Sequence, residues 1–140
     1  MGSVGKNFAL TMLRLHRERE QISVVADQVG CPTSTATLAA ACWRAIAAMD
    51  TSAGLPAVLH WSDAGAASWY DVAVAVGELG LEMGLLESAA QVNPITTADY
   101  PTPAQRPSYS LLDCTASRKA LDLAPTHWRQ TLRQLLEVVQ

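Results

Sequence analysis

The sequence predicts an α/β fold, mostly helices with a few short strands, and three observations carry that reading. Apolar residues recur at helical spacing in several segments, most regularly at Trp128, Leu132, Leu135 and Val139. β-Branched residues gather only in short runs, such as Ile22, Val24 and Val25. Four prolines between Asn93 and Pro107 interrupt the second half with an extended stretch. With 140 residues, 49% hydrophobic and 16% charged, the chain is expected to form one domain over 1–140 with a buried core.

The opening Met1–Gly5 reads as a glycine-containing loop. Helix one is expected from near Lys6 to Glu20, with Phe8, Met12 and Leu15 in one row and Ala9 and Leu13 widening it. Arg14, His16, Arg17, Glu18, Arg19 and Glu20 fall on its other, solvated face, where alternating signs argue against a phosphate site. Val24 to Ser34 then reads as a hairpin, with Gly30 making a tight turn and Pro32 an extended exit. Asp27 and Gln28 lie between its arms. Such an arrangement suits either the edge of a polar-ligand site or a plain structural turn.

A second helix is expected from Ala36 to Met49, capped by Ser34 or Thr35, with Leu38, Cys42, Ala45 and Met49 facing the core and Asp50–Gly54 ending it. Ala57–Ser62 reads as a short strand, and His60 in it as a packed strand residue. Ser68 followed three residues later by Asp71 is a capping-box variant that opens a third helix. Its stripe is Val72, Val76, Leu79 and Met83, and Gly80 and Gly84 weaken its far end. Glu78, Glu82 and Glu87 have no histidine at ligand spacing and read as a solvated flank, so no metal site is expected. Asn93–Pro107 reads as an extended, non-helical loop of the length that usually serves function. A short strand at Ser108–Leu112, a short helix at Thr115–Leu121 and a final helix from Pro125–Trp128 complete the chain.

Net charge of −3 leaves no electrostatic footprint for nucleic acid. No apolar run reaches the roughly 18 residues of a membrane span, and no signal-peptide pattern opens the chain. Cys31, Cys42 and Cys114 are widely spaced and form no metal or redox motif, which points to a reduced, cytoplasmic setting. Cys42 is expected in the core. Neither Cys31 nor Cys42 has a base nearby in sequence, so neither reads as a nucleophile.

Asp27-Gln28-x-Gly30-x-Pro32-Thr33-Ser34, downstream of Gly5-Lys6-Asn7-Phe8 and Thr11-Met12-Leu13-Arg14-Leu15, resembles dTDP-4-dehydrorhamnose reductase, an extended short-chain dehydrogenase/reductase. Tyr100-Pro101-Thr102-Pro103-Ala104-Gln105-Arg106-Pro107, followed by Ser110-Leu111-Leu112-Asp113, repeats the C-terminal pattern of that family in the same order. The resemblance implies the C-terminal substrate-binding part of such an enzyme, without the N-terminal Rossmann fold. It implies a dTDP-sugar as ligand and Asn7, Gln28, Pro32, Thr33 and Arg106 as its substrate-binding positions, with Asn7 and Gln28 bonding the sugar diphosphate or base, Thr33 lining the nucleotide pocket, and Arg106 neutralising the diphosphate through its planar fork of donors. Gln105 stands where relatives place a second basic or polar residue, which implies weaker phosphate affinity.

A hydride-transferring reductase of this kind needs a glycine-rich turn for NADPH or NADH and a Tyr-x-x-x-Lys pair to protonate the alkoxide. Neither is present. Tyr70, Tyr100 and Tyr109 are followed four residues later by Val74, Ala104 and Asp113. No residue of this chain is therefore assigned a catalytic role, and neither cofactor is expected to bind it alone. The expected function is the substrate-binding portion of a reductase that makes dTDP-L-rhamnose. Alternatives are a noncatalytic nucleotide-sugar-binding or regulatory subunit, and a truncated product without activity of its own. In the family, helix one packs partly on the nucleotide-binding half. Its apolar face is thus expected to be exposed here, and to drive pairing with that half or self-association.

Overall fold

The computed structural model describes residues 1–49 and 54–139. Helix α1 (Phe8–Glu18) leads into strand β1 (Gln21–Val25) and the two-residue β2 (Val29–Gly30); α2 (Thr35–Ala48) follows. Next come β3 (Ala67–Ser68), α3 (Trp69–Glu82), β4 (Gln91–Ile95), a 3-10 turn (Thr97–Asp99), α4 (Thr115–Leu121) and α5 (Trp128–Glu137).

Helix α3 is the centre of the molecule. Its capping box is formed as expected, with the Ser68 hydroxyl accepting from the Asp71 N–H and the Asp71 carboxylate accepting from the Ser68 N–H. Val72, Val76 and Leu79 are fully buried, and α1, α5, β1 and β4 all pack against this helix. It runs through Gly80, where the Leu86 side chain folds so close that a Cβ would lie 2.6 Å from it. Gly84 (φ +70°) then stops it: Gly84 N–H bonds to Leu81 C=O and Leu85 N–H to Gly80 C=O, a Schellman closure that only an αL residue permits cheaply. Glu78 and Glu82 form ion pairs with Arg129 and Arg133 of α5, at 2.7 and 2.6 Å, on a solvated flank. Trp128, Leu132 and Leu135 are buried beneath those pairs.

Helix α1 starts two residues later and ends two earlier than expected, because Asn7 is its N-cap and Arg19 is already extended. Its apolar face is not exposed. Ala9, Met12 and Leu13 are buried on the core, with Phe8 and Leu15 packed beside them, because α3 supplies the partner within this chain. His16 is likewise buried rather than solvated. Its Nδ1 accepts the Ala90 N–H at 3.1 Å, which leaves Nε2 to donate to the Ala73 carbonyl at 3.0 Å.

Four further expectations give way to long-range pairing. Val24–Ser34 is not a hairpin: β1 pairs in parallel with β4, and β2 pairs antiparallel with β3. Gly30 accordingly serves close approach and not a turn, since a Cβ there would lie 2.7 Å from Ser110 Oγ. The expected loop Asn93–Pro107 begins as strand β4, where Pro94 is tolerated because the two-stranded sheet leaves one side of β4 free, and Thr97–Asp99 is a helical turn. Ala57–Ser62 forms no strand; its polar groups turn to α4, with His60 N–H bonded to Ser117 Oγ and Ser62 C=O accepting from Arg118. Ser108–Leu112 makes a single bridge, Tyr109 to Val29, in place of a strand.

The expected core face of α2 is also corrected. Leu38, Cys42 and Met49 are exposed, and Ala41 is the buried residue of this helix. The expected stop at Asp50–Gly54 lies outside the described residues apart from Gly54. Each sheet has two strands, so no Rossmann fold exists among the described residues.

Candidate functional site

The candidate site is a 360 Å³ cleft where β2, β3 and the proline-rich segment converge, walled by Gln28, Gly30, Pro32, Trp69, Arg106 and Ser110 among others. Its floor is backbone. Val29 N–H donates to Ser108 C=O and Ser110 N–H to Val29 C=O, both at 2.8 Å, which brings the segment carrying Arg106 alongside β2.

Gln28 is fixed at both ends of its amide: Nε2 donates to Thr97 Oγ1 at 3.1 Å, and Oε1 accepts the Trp69 indole N–H at 3.2 Å. The indole leans on Phe8, with ring centroids 4.8 Å apart. A tilted aromatic pair of this kind holds one ring at a chosen angle. Asp27, beside Gln28, accepts the Thr97 N–H with both oxygens and the Thr97 hydroxyl at 2.7 Å. Those bonds hold its carboxyl below the usual carboxylate range. On the far side of the turn the Thr96 hydroxyl and N–H do the same for Asp99. Arg106 is exposed and makes no ion pair or hydrogen bond among the described residues. A guanidinium without a partner at the mouth of a cleft is ready for an anion.

Of the residues singled out from sequence, Gln28, Pro32 and Arg106 meet in this cleft. Asn7 and Thr33 do not line it. The Asn7 side chain is spent on capping α1, accepting from Leu10 N–H and donating to Gly2 C=O at 2.8 Å. The Thr33 hydroxyl donates to Cys31 C=O at 3.1 Å, so it shapes the Cys31–Ser34 bend from behind.

Sequence reasoning missed two groups. Trp69 belongs to no motif, and nothing local signals its bond to Gln28, 41 positions away. Asp63 likewise belongs to no motif, yet it is 1% exposed and is the hub behind the cleft. It accepts from Ser34 N–H at 3.0 Å and from the hydroxyls of Thr37 at 2.5 Å and Thr131 at 2.8 Å, tying α2 to α5. Its carbonyl accepts the Cys31 S–H at 2.8 Å. Burial pushes the Cys31 thiol up, so it stands as a donor and not as a nucleophile. A neighbouring 410 Å³ hollow shares Cys31 and is lined by Tyr109, Asp113 and Arg118, but it takes in none of Asn7, Gln28, Pro32, Thr33 and Arg106. No group of His, Cys, Asp and Glu among the described residues is placed to hold a metal, and no helix among them is long and apolar enough to cross a membrane.

A dinucleotide's diphosphate is bound by N–H groups at a helix start behind a glycine-rich turn. Here side chains already take N–H groups of every described α-helix start: Asn7, Ser34, Ser68 and His127 cap α1, α2, α3 and α5, and Asp113 accepts from Thr115 N–H at α4.

Comparison with known proteins identifies the family and the fold. The profile of the RmlD substrate binding domain matches residues 1–140. A dTDP-4-dehydrorhamnose reductase of Aggregatibacter actinomycetemcomitans is 36% identical over 135 residues, covering 96% of this chain and 46% of that protein. The crystal structure of a dTDP-4-dehydrorhamnose reductase from Clostridium acetobutylicum superposes with a TM-score of 0.83 at 32% identity, covering 97% of this chain and 45% of the other. That of the reductase from Bacillus anthracis, solved in complex with NADP, gives 0.82 at 30% identity, covering 100% and 45%. The chain thus spans about half the length of the relatives it matches. It belongs to the RmlD substrate binding domain family, and its fold is that of the substrate-binding part of these reductases.

Proposed function

We propose that this member of the RmlD substrate binding domain family holds the dTDP-sugar of a dTDP-4-dehydrorhamnose reductase, in the cytoplasm, and that reduction itself requires a second, nucleotide-binding half. The observation that carries this reading is the meeting of Gln28, Pro32 and the unpaired Arg106 in one cleft, in a chain of this family. Arg106 neutralises the diphosphate from the mouth of the cleft. Gln28, locked between Thr97 and Trp69, presents a fixed amide edge to the sugar or base, and the Trp69 indole offers a flat wall for a ring. Pro32 closes the nucleotide side. Asn7 and Thr33 act at one remove: Asn7 starts the helix whose Phe8 props Trp69, and Thr33 sets the bend that carries Pro32.

NADPH or NADH belongs to the other half on this reading. The chain has no Tyr-x-x-x-Lys acid and no glycine-rich turn, and its helix starts are capped by its own side chains. No step of hydride or proton transfer is assigned to its residues.

Calorimetric titration with dTDP and, separately, with NADPH tests the proposal. Saturable dTDP binding, weakened about tenfold in Arg106→Ala through loss of a charge-assisted contact at an exposed site, is the expected result. NADPH is expected to give no heat of binding. Absence of dTDP binding, or an affinity untouched by Arg106→Ala, contradicts it.

A further inference from the structure

We infer that Asp27 and Thr97 are positioning residues which, with Trp69, hold the Gln28 amide in one orientation and so make the cleft selective for a pyrimidine imide over a 4-aminopyrimidine. This rests on the reading of the cleft as a nucleotide site, and adds which part of the ligand Gln28 meets and what fixes its choice. The order of donors and acceptors is set from one end. The Asp27 carboxylate, kept ionised by its bonds, only accepts, and it takes the Thr97 N–H and, at 2.7 Å, the Thr97 hydroxyl proton. With that proton committed, Thr97 Oγ1 is an acceptor, and Gln28 Nε2 donates to it at 3.1 Å. At the other end the Trp69 indole is a donor only, and it meets Gln28 Oε1 at 3.2 Å. A turned amide would set its N–H groups against the indole N–H, and its oxygen against a hydroxyl with no proton to give. Both ends demand the same orientation. Both anchors are themselves held, Thr97 in the turn closed by Thr96 and Asp99, and the Trp69 ring against Phe8.

These two bonds leave Gln28, which lines the cleft, one N–H and one oxygen lone pair. A fixed amide matters only against a ligand group whose own donors and acceptors are fixed. Sugar hydroxyls rotate to serve either end of an amide, and a diphosphate only accepts. A base edge cannot adjust. The imide of thymine or uracil offers a carbonyl beside an N–H, which the amide meets with its own N–H and oxygen. Cytosine offers an amino group and a ring nitrogen at the same two places, and so meets the locked amide donor to donor and acceptor to acceptor. The Trp69 indole beside Gln28 supplies the flat wall that a planar base needs.

Calorimetry with dTDP, dUDP and dCDP, which share sugar and diphosphate, tests the inference. Expected are dTDP and dUDP affinities within about threefold of each other and a dCDP affinity about tenfold weaker or less, the discrimination of one paired base edge. Thr97→Val combined with Trp69→Phe frees both ends of the amide and is expected to bring dTDP and dCDP within about threefold. Thr97→Ser keeps the hydroxyl and is expected to keep the parent ratio. Gln28→Glu, which offers acceptors alone, is expected to shift the ratio toward dCDP, whose amino group donates. Absence of dTDP binding overturns the functional reading beneath this inference. Binding of dTDP with dCDP equally tight overturns the inference alone. So does a dTDP preference that survives in Gln28→Glu or, with the parent amide spectrum retained, in the double variant.

Discussion

Helices α2 and α3 are alike in length, capping and apolar content and opposites in structure. Each has 14 residues and begins after a capping serine; α2 is built mostly on alanine, α3 on Val, Ala and Leu. Yet seven residues of α3 are buried, and one of α2. The difference lies in what surrounds them. Helix α3 finds α1, α5 and two strands within the chain, whereas α2 rests on α4 by one strip and turns its apolar side outward. Hydrophobic periodicity thus reports that a face is to be covered and is silent about which polypeptide covers it.

The sharpest way to break this comparison is a pair of truncations measured by chemical denaturation. Leu79→Ala in α3 is expected to cost about 2–5 kcal/mol, since it empties space in a closed core. Trp43→Ala in α2 removes a larger side chain and is expected to stay within about 0.5 kcal/mol of the parent. Equal losses would mean that α2 is packed in solution and that the contrast is wrong.

Asp63 ties the first turn of α2 to α5, so its removal tests how far that turn depends on this anchor. Asp63→Ala leaves the Ser34 N–H without its acceptor and turns the Thr37 and Thr131 hydroxyls to the Ser34 and Trp128 carbonyls alone, and it is expected to cost about 1–3 kcal/mol. Amide exchange is expected to rise at the start of α2 and around Thr131 and not in the middle of α3. A uniform rise would assign Asp63 to the core as a whole.

The smallest effect concerns the wall of the cleft. The Asp27 carboxyl is held below its ordinary value of 3.8 by the Thr97 hydroxyl and N–H. A depressed carboxyl contributes stability that is complete above its unfolded value and is lost as the pH falls through the folded one. The Thr97 amide resonance is therefore expected to hold steady down to about pH 4 and to move below it. In Asp27→Asn that movement is expected to vanish, while α3 resonances stay in place. A Thr97 resonance indifferent to both changes would show the clamp to be absent in solution.

How much of this was legible in the sequence follows from the range of each interaction. The capping box at Ser68–Asp71, the α5 row from Trp128 and the short α4 are local patterns, and all form as read. The parallel pairing of β1 with β4 joins Val24 to Pro94, and a proline-bearing strand resembles a loop until its partner is known. His16 sat among charged neighbours, and only Ala73 and Ala90, both far along the chain, make it a core residue. Within the site, Gln28, Pro32 and Arg106 were readable through motifs and do share a cleft. Trp69 and Asp63 were not, because their roles rest on partners that no motif places next to them.

The central claim is that the cleft between Gln28, Trp69 and Arg106 takes the nucleotide. Its most direct test is a two-dimensional amide spectrum titrated with dTDP, watching the Trp69 indole N–H that is now donated to Gln28. The account predicts a saturable shift of that resonance together with the amides of β2 and of the segment around Arg106, while the α2 resonances stay still. A dTDP titration that moves α2 or the hollow beside Arg118, and leaves the Trp69 indole where it was, would contradict it.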